Sequence, residues 1–211
     1  MNTKKMTTIA MLTAAAFIAV FFIRIPIMPA VPFLKYEPKD IIIVMGGFIY
    51  GPLAALAVSV VVSLIELVTI SDTGIIGLIM NILSSCSFAC VASGIYKARR
   101  TLKGAIGGLL TGVLAMCAVM LLWNYLITPL YMKIPRETVA AMLLPAFLPF
   151  NLLKGILNAA LTLLLYKPVV TALRKTGSIP EAKEKQSGLA GMVIGGVFVV
   201  ITVAVILTVV K

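Results

Sequence analysis

The sequence predicts an all-α membrane protein, a polytopic bundle of transmembrane helices. Of its 211 residues, 61% are hydrophobic and only 12% are charged, a composition far outside that of soluble domains. The apolar residues form long runs, several of which reach the roughly 20 residues that a helix needs to cross a bilayer. Charged residues and prolines collect between these runs, where loops are expected. These observations together predict one membrane domain.

The remaining composition excludes several classes of function. Histidine is absent, which excludes Ser-His-Asp triads and imidazole metal sites. No G-x-x-x-x-G-K-[ST] loop is present, so an ATP-driven step would need a nucleotide site on another subunit. The formal net charge of +11 comes from basic residues between apolar runs, which favours an effect of membrane orientation over nucleic-acid binding. We therefore expect a non-enzymatic protein with no metal and no resident cofactor.

Six helical spans are predicted within residues 1–175. Gly51-Pro52 separates the second span from the third, and the second is short enough to be a tilted helix or a 3₁₀ element. Four prolines prevent residues 24–40 from continuing a helix, so this segment is expected to form an ordered, partly inserted loop. The predicted spans are approximately 6–23, 40–51, 53–70, 75–96, 104–127 and 139–173.

The C-terminal part is predicted to lie outside this domain. Residues 176–188 are polar and charged, which predicts an exposed linker. Residues 189–210 form an uninterrupted apolar run of bilayer length, which predicts an additional transmembrane helix. Its Val, Ile and Gly composition contains no polar site, so this helix is expected to pack or to anchor rather than to bind a ligand.

The distribution of Lys and Arg predicts the orientation in the cell membrane. Most basic residues lie at the N-terminus and in every second connection, including the run from Lys97 to Lys103. The side richer in Lys and Arg is usually cytoplasmic. The N-terminus is therefore expected to be cytoplasmic, and the loops 24–40 and 128–138 are expected to face outside.

A polar face interrupts the last span of the predicted domain. Asn151, Lys154 and Asn158 follow one another at spacings of three and four residues, which places them on one side of a helix. A lysine in hydrocarbon costs roughly 2.5 to 3.5 kcal/mol on insertion scales, so it usually faces a cavity or a partner. We predict that this face lines a ligand site. The alternative is a lysine that reaches the headgroups beside an asparagine bonded to another helix.

Other polar residues are predicted to lie at the same membrane depth. Asn124 lies near the end of the fifth span, and Asn81 near the start of the fourth. Asparagine presents a donor and an acceptor together, which suits a flat ligand with adjacent N–H and C=O groups. Aromatic side chains could enclose such a ring, although the same polar residues could instead bond helix to helix. The candidate wall and loop residues are Phe33, Leu34, Tyr36, Glu37, Trp123 and Tyr125.

Two further features carry no such clear signal. Glu66 in the third span is interpreted as the partner of Lys154 or of an external cation, with proton coupling as the alternative. The first span places Ala10 and Ala14, and likewise Ala15 and Ala19, at four-residue spacing. Such small residues leave a flat face for another helix, which could belong to this bundle or to a partner.

Several segments together resemble the substrate-binding S-components of energy-coupling factor (ECF) vitamin transporters, in particular the riboflavin-specific type. The resemblance covers roughly residues 1–175 and depends on the order and spacing of five pieces. They are the alanine-spaced first span, FLKYE at 33–37 followed by Asp40, Met80-Asn81, WNYLITPLY at 123–131 and LPFNLLK at 148–154.

The resemblance implies a six-helix substrate-binding domain that captures riboflavin in an outward-facing pocket. It implies that Asn124, Asn151 and Lys154 hydrogen-bond the flavin through side chains, and Leu34 through its backbone. It also implies that one of the alanine pairs docks on a transmembrane coupling subunit served by two ATPases. The extra span at 189–210 departs from the family pattern, and Glu66 matches no role in it.

Two alternatives remain open at the level of sequence. One is an S-component for another vitamin or for a flavin nucleotide, whose phosphate Lys35, Lys39 and Lys154 could attract. The other is a stand-alone secondary transporter that uses Glu66 for proton coupling. An enzyme of lipid metabolism is the least favoured class, because no catalytic constellation is present.

Overall fold

The fold is described by a computed structural model over residues 3–29 and 31–175. The linker predicted at 176–188 and the helix predicted at 189–210 lie outside these described residues. Seven helices and one short hairpin make up the described part. The helices are α1 (Thr3–Phe22), α2 (Lys39–Tyr50), α3 (Pro52–Thr69), α4 (Gly74–Arg99), α5 (Leu102–Met132), α6 (Arg136–Met142) and α7 (Leu148–Lys175).

Five segments are long and apolar enough to cross a membrane: Thr3–Phe22, Pro52–Thr69, Gly74–Arg99, Leu102–Met132 and Arg136–Ala172. They correspond to five of the six predicted spans. The predicted second span is present as α2, but its 12 residues extend only about 18 Å along a helix axis. The element is a short buried helix that packs against α1, α3, α4 and α7. The described residues therefore contain five full-length spans, with this short helix at the place of the predicted second span.

Glycine allows a close approach between α4 and α5. A Cβ at Gly108 would lie 2.6 Å from the carbonyl oxygen of Ala92, and one at Gly112 would lie 2.6 Å from that of Phe88. Backbones that approach so closely leave no room for a side chain. Because lipid tails are as apolar as the helix surfaces, such van der Waals packing is a main source of helix association in membranes.

The segment between α1 and α2 is an ordered loop, as predicted. Its ends pair as a two-stranded antiparallel hairpin, β1 (Ile25–Pro26) and β2 (Lys35–Tyr36), with Ile25 opposite Tyr36. The middle of the loop inserts apolar side chains, including Ile27 and Val31, into a cluster with the start of α7. Residues 24–29 and 31–37 therefore form a cap, hereafter the cap loop, over one end of the bundle.

A π-helical turn over Leu143–Phe147 joins α6 to α7. It contains Pro145, and Pro149 follows in the first turn of α7. Proline lacks the backbone N–H that a regular helix requires, and a widened turn absorbs this irregularity without ending the helical segment. The last predicted span therefore begins earlier than expected, at Arg136, and Asn151 and Lys154 lie in the first two turns after the irregular segment.

Candidate ligand-binding site

A cavity of about 320 Å³ lies beneath the cap loop, at the end of the bundle where α4 begins, α5 ends and α7 begins. Its volume falls within the range of small-molecule sites. Its walls combine apolar, amide and charged side chains. The lining residues are Arg24, Pro32, Phe33, Leu34, Lys35, Glu37, Asp72, Thr73, Met80, Asn81, Ser84, Met120, Asn124, Tyr131, Phe150, Asn151 and Lys154.

Most of the predicted site residues meet in this one cavity. They come from four separate segments of the chain, namely the cap loop, α4, α5 and α7. The predicted residues that line the cavity are Phe33, Leu34, Glu37, Asn81, Asn124, Asn151 and Lys154.

Three predicted aromatic residues do not line this cavity. Tyr36 is buried in the apolar cluster behind the cap loop. Tyr125 is 38% exposed, and its ring lies 5.4 Å from the Arg136 guanidinium. Trp123 lines a smaller adjoining cavity, which shares Phe33 and other residues with the main one. Because Tyr125 follows Asn124 directly, it points to another side of the same helix.

The amide side chains of the site are held by their own helices. Asn124 Nδ2 donates to the Met120 carbonyl oxygen at 2.7 Å, and Asn124 Oδ1 accepts from Thr128 Oγ1 at 2.9 Å. Asn151 Nδ2 donates to the Phe147 carbonyl oxygen at 2.8 Å. Each amide nitrogen carries a second hydrogen that these contacts leave free. Both amides are therefore oriented before a ligand arrives and keep hydrogen-bonding capacity for it.

Lys154 is buried at the cavity wall and does not extend to the surface. Its Nζ lies 3.5 Å from Oδ2 of Asp40, and the side chain is 7% exposed. Asp40 is fully buried, and it also accepts hydrogen bonds from Ser85 Oγ and from Asn158 Nδ2. Asn158 thus supports Asp40 from behind and is not a cavity residue, although it shares a helical face with Asn151 and Lys154.

A second buried charge network lies beside the first. Lys39 Nζ contacts both carboxylate oxygens of Glu66, at 2.7 and 2.6 Å, and lies 2.9 Å from Glu37 Oε2. Glu66 therefore has an ion-pairing role, as the sequence favoured, but its partner is Lys39 and not Lys154. Burial tends to raise the pKa of Glu37, yet Lys39, Lys154 and Arg24 together hold that pKa below its ordinary value. Glu37 thus presents an ionised carboxylate to the cavity.

The cap loop is tied to the turn between α3 and α4 at the mouth of the cavity. Lys35 Nζ donates to Asp72 Oδ2 at 2.7 Å, and this hydrogen bond lowers the pKa of Asp72. Arg24 Nε donates to Glu37 Oε1 at 3.2 Å, and its Nη1 donates to the Ile70 carbonyl oxygen at 2.7 Å. These contacts close one side of the mouth.

Several lining residues were not predicted from the sequence. Helical spacing carries a signal for some of them, because Met120 and Tyr131 lie four residues before and seven after Asn124, on one helical face. Likewise, Ser84 follows Asn81 by three residues. Arg24 and Asp72 have no such signal, since they lie in loops that meet only in the folded chain.

The four predicted docking alanines lie away from the cavity, on α1. Ala10, Ala14 and Ala15 are exposed, and Ala19 is half-buried. The opposite side of α1, including Leu12 and Ala16, is buried in the bundle. Three of the four alanines are thus on an outward face of α1 within the described structure.

Comparisons with known proteins identify a family whose match includes every residue that lines the cavity. The sequence model for the family "ECF transporter, substrate-specific component" matches residues 4–166. The riboflavin transporter RibU of Staphylococcus aureus (strain TCH60) is 31% identical over 179 residues, covering 82% of this chain and 93% of that protein. The riboflavin transporter RibU of Streptococcus thermophilus (strain ATCC BAA-250 / LMG 18311) is 30% identical over 184 residues, covering 82% of this chain and 86% of that protein.

A solved structure is also similar to this chain. It is described as "Structure and mechanism of the S component of a bacterial ECF transporter", and it superposes with a TM-score of 0.69 at 31% identity. The superposition covers 81% of this chain and 98% of the solved one. The similarity therefore extends over the helical bundle as a whole and is not confined to a single motif.

Proposed function

Because the chain belongs to the family of ECF transporter substrate-specific components, we propose that it captures riboflavin as the membrane subunit of an ATP-driven importer. This family consists of transporter components and is not an enzyme family. Riboflavin is the ligand of choice because the relatives from Staphylococcus aureus and Streptococcus thermophilus are riboflavin transporters.

One observation carries the proposal: the amides of Asn81, Asn124 and Asn151 meet in a single cavity with an apolar wall. The flavin ring has a polar edge, on which N–H and C=O groups alternate, and an apolar edge. An asparagine amide complements such a polar edge because it offers a donor and an acceptor side by side. A cavity that combines both kinds of wall suits a ring with both kinds of edge.

Within this proposal, different lining residues contact different parts of the flavin. Asn124, Asn151 and Lys154 hydrogen-bond the polar edge of the flavin ring, and Leu34 contributes backbone groups. Phe33 packs against the ring. Glu37 and Asn81 accept hydrogen bonds from donors of the ligand. Tyr36 supports the cap loop from behind, and Tyr125 stays at the rim without direct contact.

The proposal includes an orientation and partners. The cap loop faces outside, and the N-terminus of α1, at the other end of that helix, is cytoplasmic, in agreement with the excess of Lys and Arg on that side. The exposed alanine face of α1 docks on a transmembrane coupling subunit. Two ATPase subunits supply the energy, because this chain contains no P-loop.

The experiment that tests riboflavin binding is a visible absorption spectrum of the protein purified in detergent. We expect the spectrum of oxidised flavin, and quenching of flavin fluorescence when riboflavin is added to flavin-free protein. Asn151→Ala should weaken binding by roughly 5- to 150-fold, which corresponds to about 1 to 3 kcal/mol for a desolvated polar group left unpaired. Ser87→Ala is the matched control, because Ser87 bonds only to its own helix and lies off the cavity.

Two results would contradict the proposal. A colourless protein that does not quench added riboflavin fluorescence would point to another vitamin. Equal riboflavin affinities of the wild type and Asn151→Ala would show that the cavity described above is not the binding site.

The cavity favours riboflavin over its phosphate ester. The lysines that could attract a phosphate each have a carboxylate partner within 3.5 Å: Lys35 pairs with Asp72, Lys39 with Glu66, and Lys154 with Asp40. A phosphate would have to compete with these carboxylates and would be placed near them. Competition between riboflavin and riboflavin phosphate for the purified protein should therefore favour riboflavin, and the reverse preference would favour a nucleotide carrier.

A further inference from the structure

Glu66 is a charged residue for which neither the cavity nor the family resemblance provides a role. It lies on α3 and is 4% exposed. It does not line the cavity, yet its carboxylate is held by two side chains. Lys39 Nζ donates to both of its oxygens, and Asn81 Nδ2 donates to Oε2 at 2.9 Å. One of these partners, Asn81, is itself a lining residue.

The contact with Glu66 determines which way the Asn81 amide faces. With Nδ2 directed at the carboxylate, Oδ1 of Asn81 stays available as an acceptor, and Nδ2 keeps its second hydrogen. A rotated amide would bring Oδ1 against the carboxylate, where two acceptors face each other without a hydrogen. Asn81 therefore presents an acceptor, which fits an O–H or N–H group of a ligand.

Glu66 reaches a second lining residue through Lys39. The Lys39 ammonium that Glu66 holds lies 2.9 Å from Oε2 of Glu37, and Glu37 lines the cavity. Lys39 is 0% exposed, so water does not compete for these contacts. The position of the ammonium therefore depends on Glu66, and so does the position of Glu37 Oε2, while Arg24 holds Glu37 Oε1.

We propose that Glu66 is a positioning residue for ligand binding. It orients Asn81 directly and Glu37 through Lys39, so that both present acceptor oxygens to the hydroxyl or N–H groups of the ligand. The inference rests on the proposed function, because riboflavin is the ligand used to test it. In this proposal Glu66 affects riboflavin affinity and does not transfer a proton.

The test is a double-mutant cycle on riboflavin affinity, measured by quenching of flavin fluorescence. The four proteins are the wild type, Glu66→Gln, Asn81→Ala and the combination of both. Glutamine keeps the length of the side chain, but its amide cannot accept all the bonds that Lys39 and Asn81 donate. We expect Glu66→Gln to weaken binding about fivefold or more. In the Asn81→Ala background, the loss of riboflavin affinity caused by Glu66→Gln should be at least about twofold smaller, because the effects of substitutions at contacting residues are not additive.

Val62→Ala is the matched control for a purely structural effect. Val62 lies one turn before Glu66 on α3 and is fully buried in the apolar core. It should lower the thermal stability of the flavin-free protein while leaving riboflavin affinity unchanged. Two results would overturn the positioning role. One is wild-type riboflavin affinity of Glu66→Gln, and the other is an equal loss of affinity from Glu66→Gln in the wild-type and Asn81→Ala backgrounds.

A second variant covers the case in which Glu66→Gln does not fold. Lys39→Met with Glu66→Met removes both charges of the buried pair, a replacement that is often neutral or stabilising, and Arg24 remains as a partner of Glu37. This protein should bind riboflavin about fivefold or more weakly than the wild type, and wild-type affinity would overturn the inference. A wild type that binds no riboflavin would instead overturn the proposed function together with this inference.

Discussion

At the scale of single residues, the buried charges stand out because each requires a partner in place of water. Lys39 is the extreme case, with its side chain 1% exposed between Glu37 and Glu66. Lys35, four residues earlier, makes an ion pair of similar length to Asp72, whose side chain is 64% exposed. The two lysines therefore form a natural comparison of a buried and an exposed ion pair in one segment.

We predict that Lys39→Met destabilises the protein far more than Lys35→Met. The first change leaves two carboxylates facing each other in a buried site, which costs about 3 to 5 kcal/mol when one partner of a buried pair is lost. The second removes an exposed pair that contributes at most about 1 kcal/mol. Chemical unfolding of the flavin-free protein in detergent measures both changes. Similar losses for both variants would show that burial does not govern these pairs.

The residues of the cavity could be predicted from the sequence where they contrast with their surroundings. Asn124, Asn151 and Lys154 lie in otherwise apolar runs, so their polarity alone marked them. Arg24 and Asp72 lie in loops that already contain other polar residues, and no local pattern distinguishes them. The partner of Glu66 could not be predicted either, because Lys39 and Lys154 both lie in segments that reach the same depth, and only the packing of α2 separates them.

At the scale of whole elements, the contact between α4 and α5 depends on two glycines. We predict that Gly108→Ala and Gly112→Ala disrupt it, because each added Cβ would lie 2.6 Å from a backbone carbonyl oxygen of α4. Gly107→Ala is the control on the same helix, since nothing lies within 4 Å of its added Cβ and alanine is the better helix former. Thermal unfolding should show a lower thermal stability for Gly108→Ala and Gly112→Ala, and an unchanged one for Gly107→Ala. An equal loss at Gly107 would instead indicate a general effect of composition on α5.

The exposed alanines of α1 are predicted to serve assembly and not ligand binding. Ala14→Leu should leave riboflavin affinity unchanged, because α1 contributes no residue to the cavity. It should reduce co-purification with the coupling subunit, since a large side chain keeps two helices apart. Ala118→Leu is the control, because Ala118 is an exposed alanine on α5. If both variants co-purify with the coupling subunit as the wild type does, the alanine face is not the docking surface.

The sequence predicted some helices better than others. Long apolar runs predicted the five long segments, because length and hydropathy are sufficient to recognise a span. The short α2 was less clear, since its apolar run resembles half a span while it is in fact buried by protein. The π-helical turn at Leu143–Phe147 had only its prolines as a signal, and these were equally compatible with a helix start.

At the scale of the whole molecule, the functional features lie in different places. The cavity and its cap loop occupy one end of the bundle, and the exposed alanines lie along the side of α1. The sequence contains no G-x-x-x-x-G-K-[ST] loop for ATP in either place. Glu66, the residue considered for proton coupling, is bonded to Lys39 and Asn81. Under the proposed function the chain binds the ligand, and we expect the energy for release to come from partners.

This division leads to a prediction about the energy source for uptake. Cells that express this chain with the proposed coupling subunit and ATPases should take up riboflavin, and ATPase variants unable to hydrolyse ATP should abolish uptake. Collapse of the proton gradient, with cellular ATP maintained, should leave the initial rate largely unchanged, because in the proposed function ATP hydrolysis, and not proton movement, drives release. Uptake that persists without active ATPases and stops with the proton gradient would identify a stand-alone proton-coupled transporter. In that case Glu66→Gln would have to abolish uptake while riboflavin still bound, which separates a proton carrier from the positioning residue proposed above.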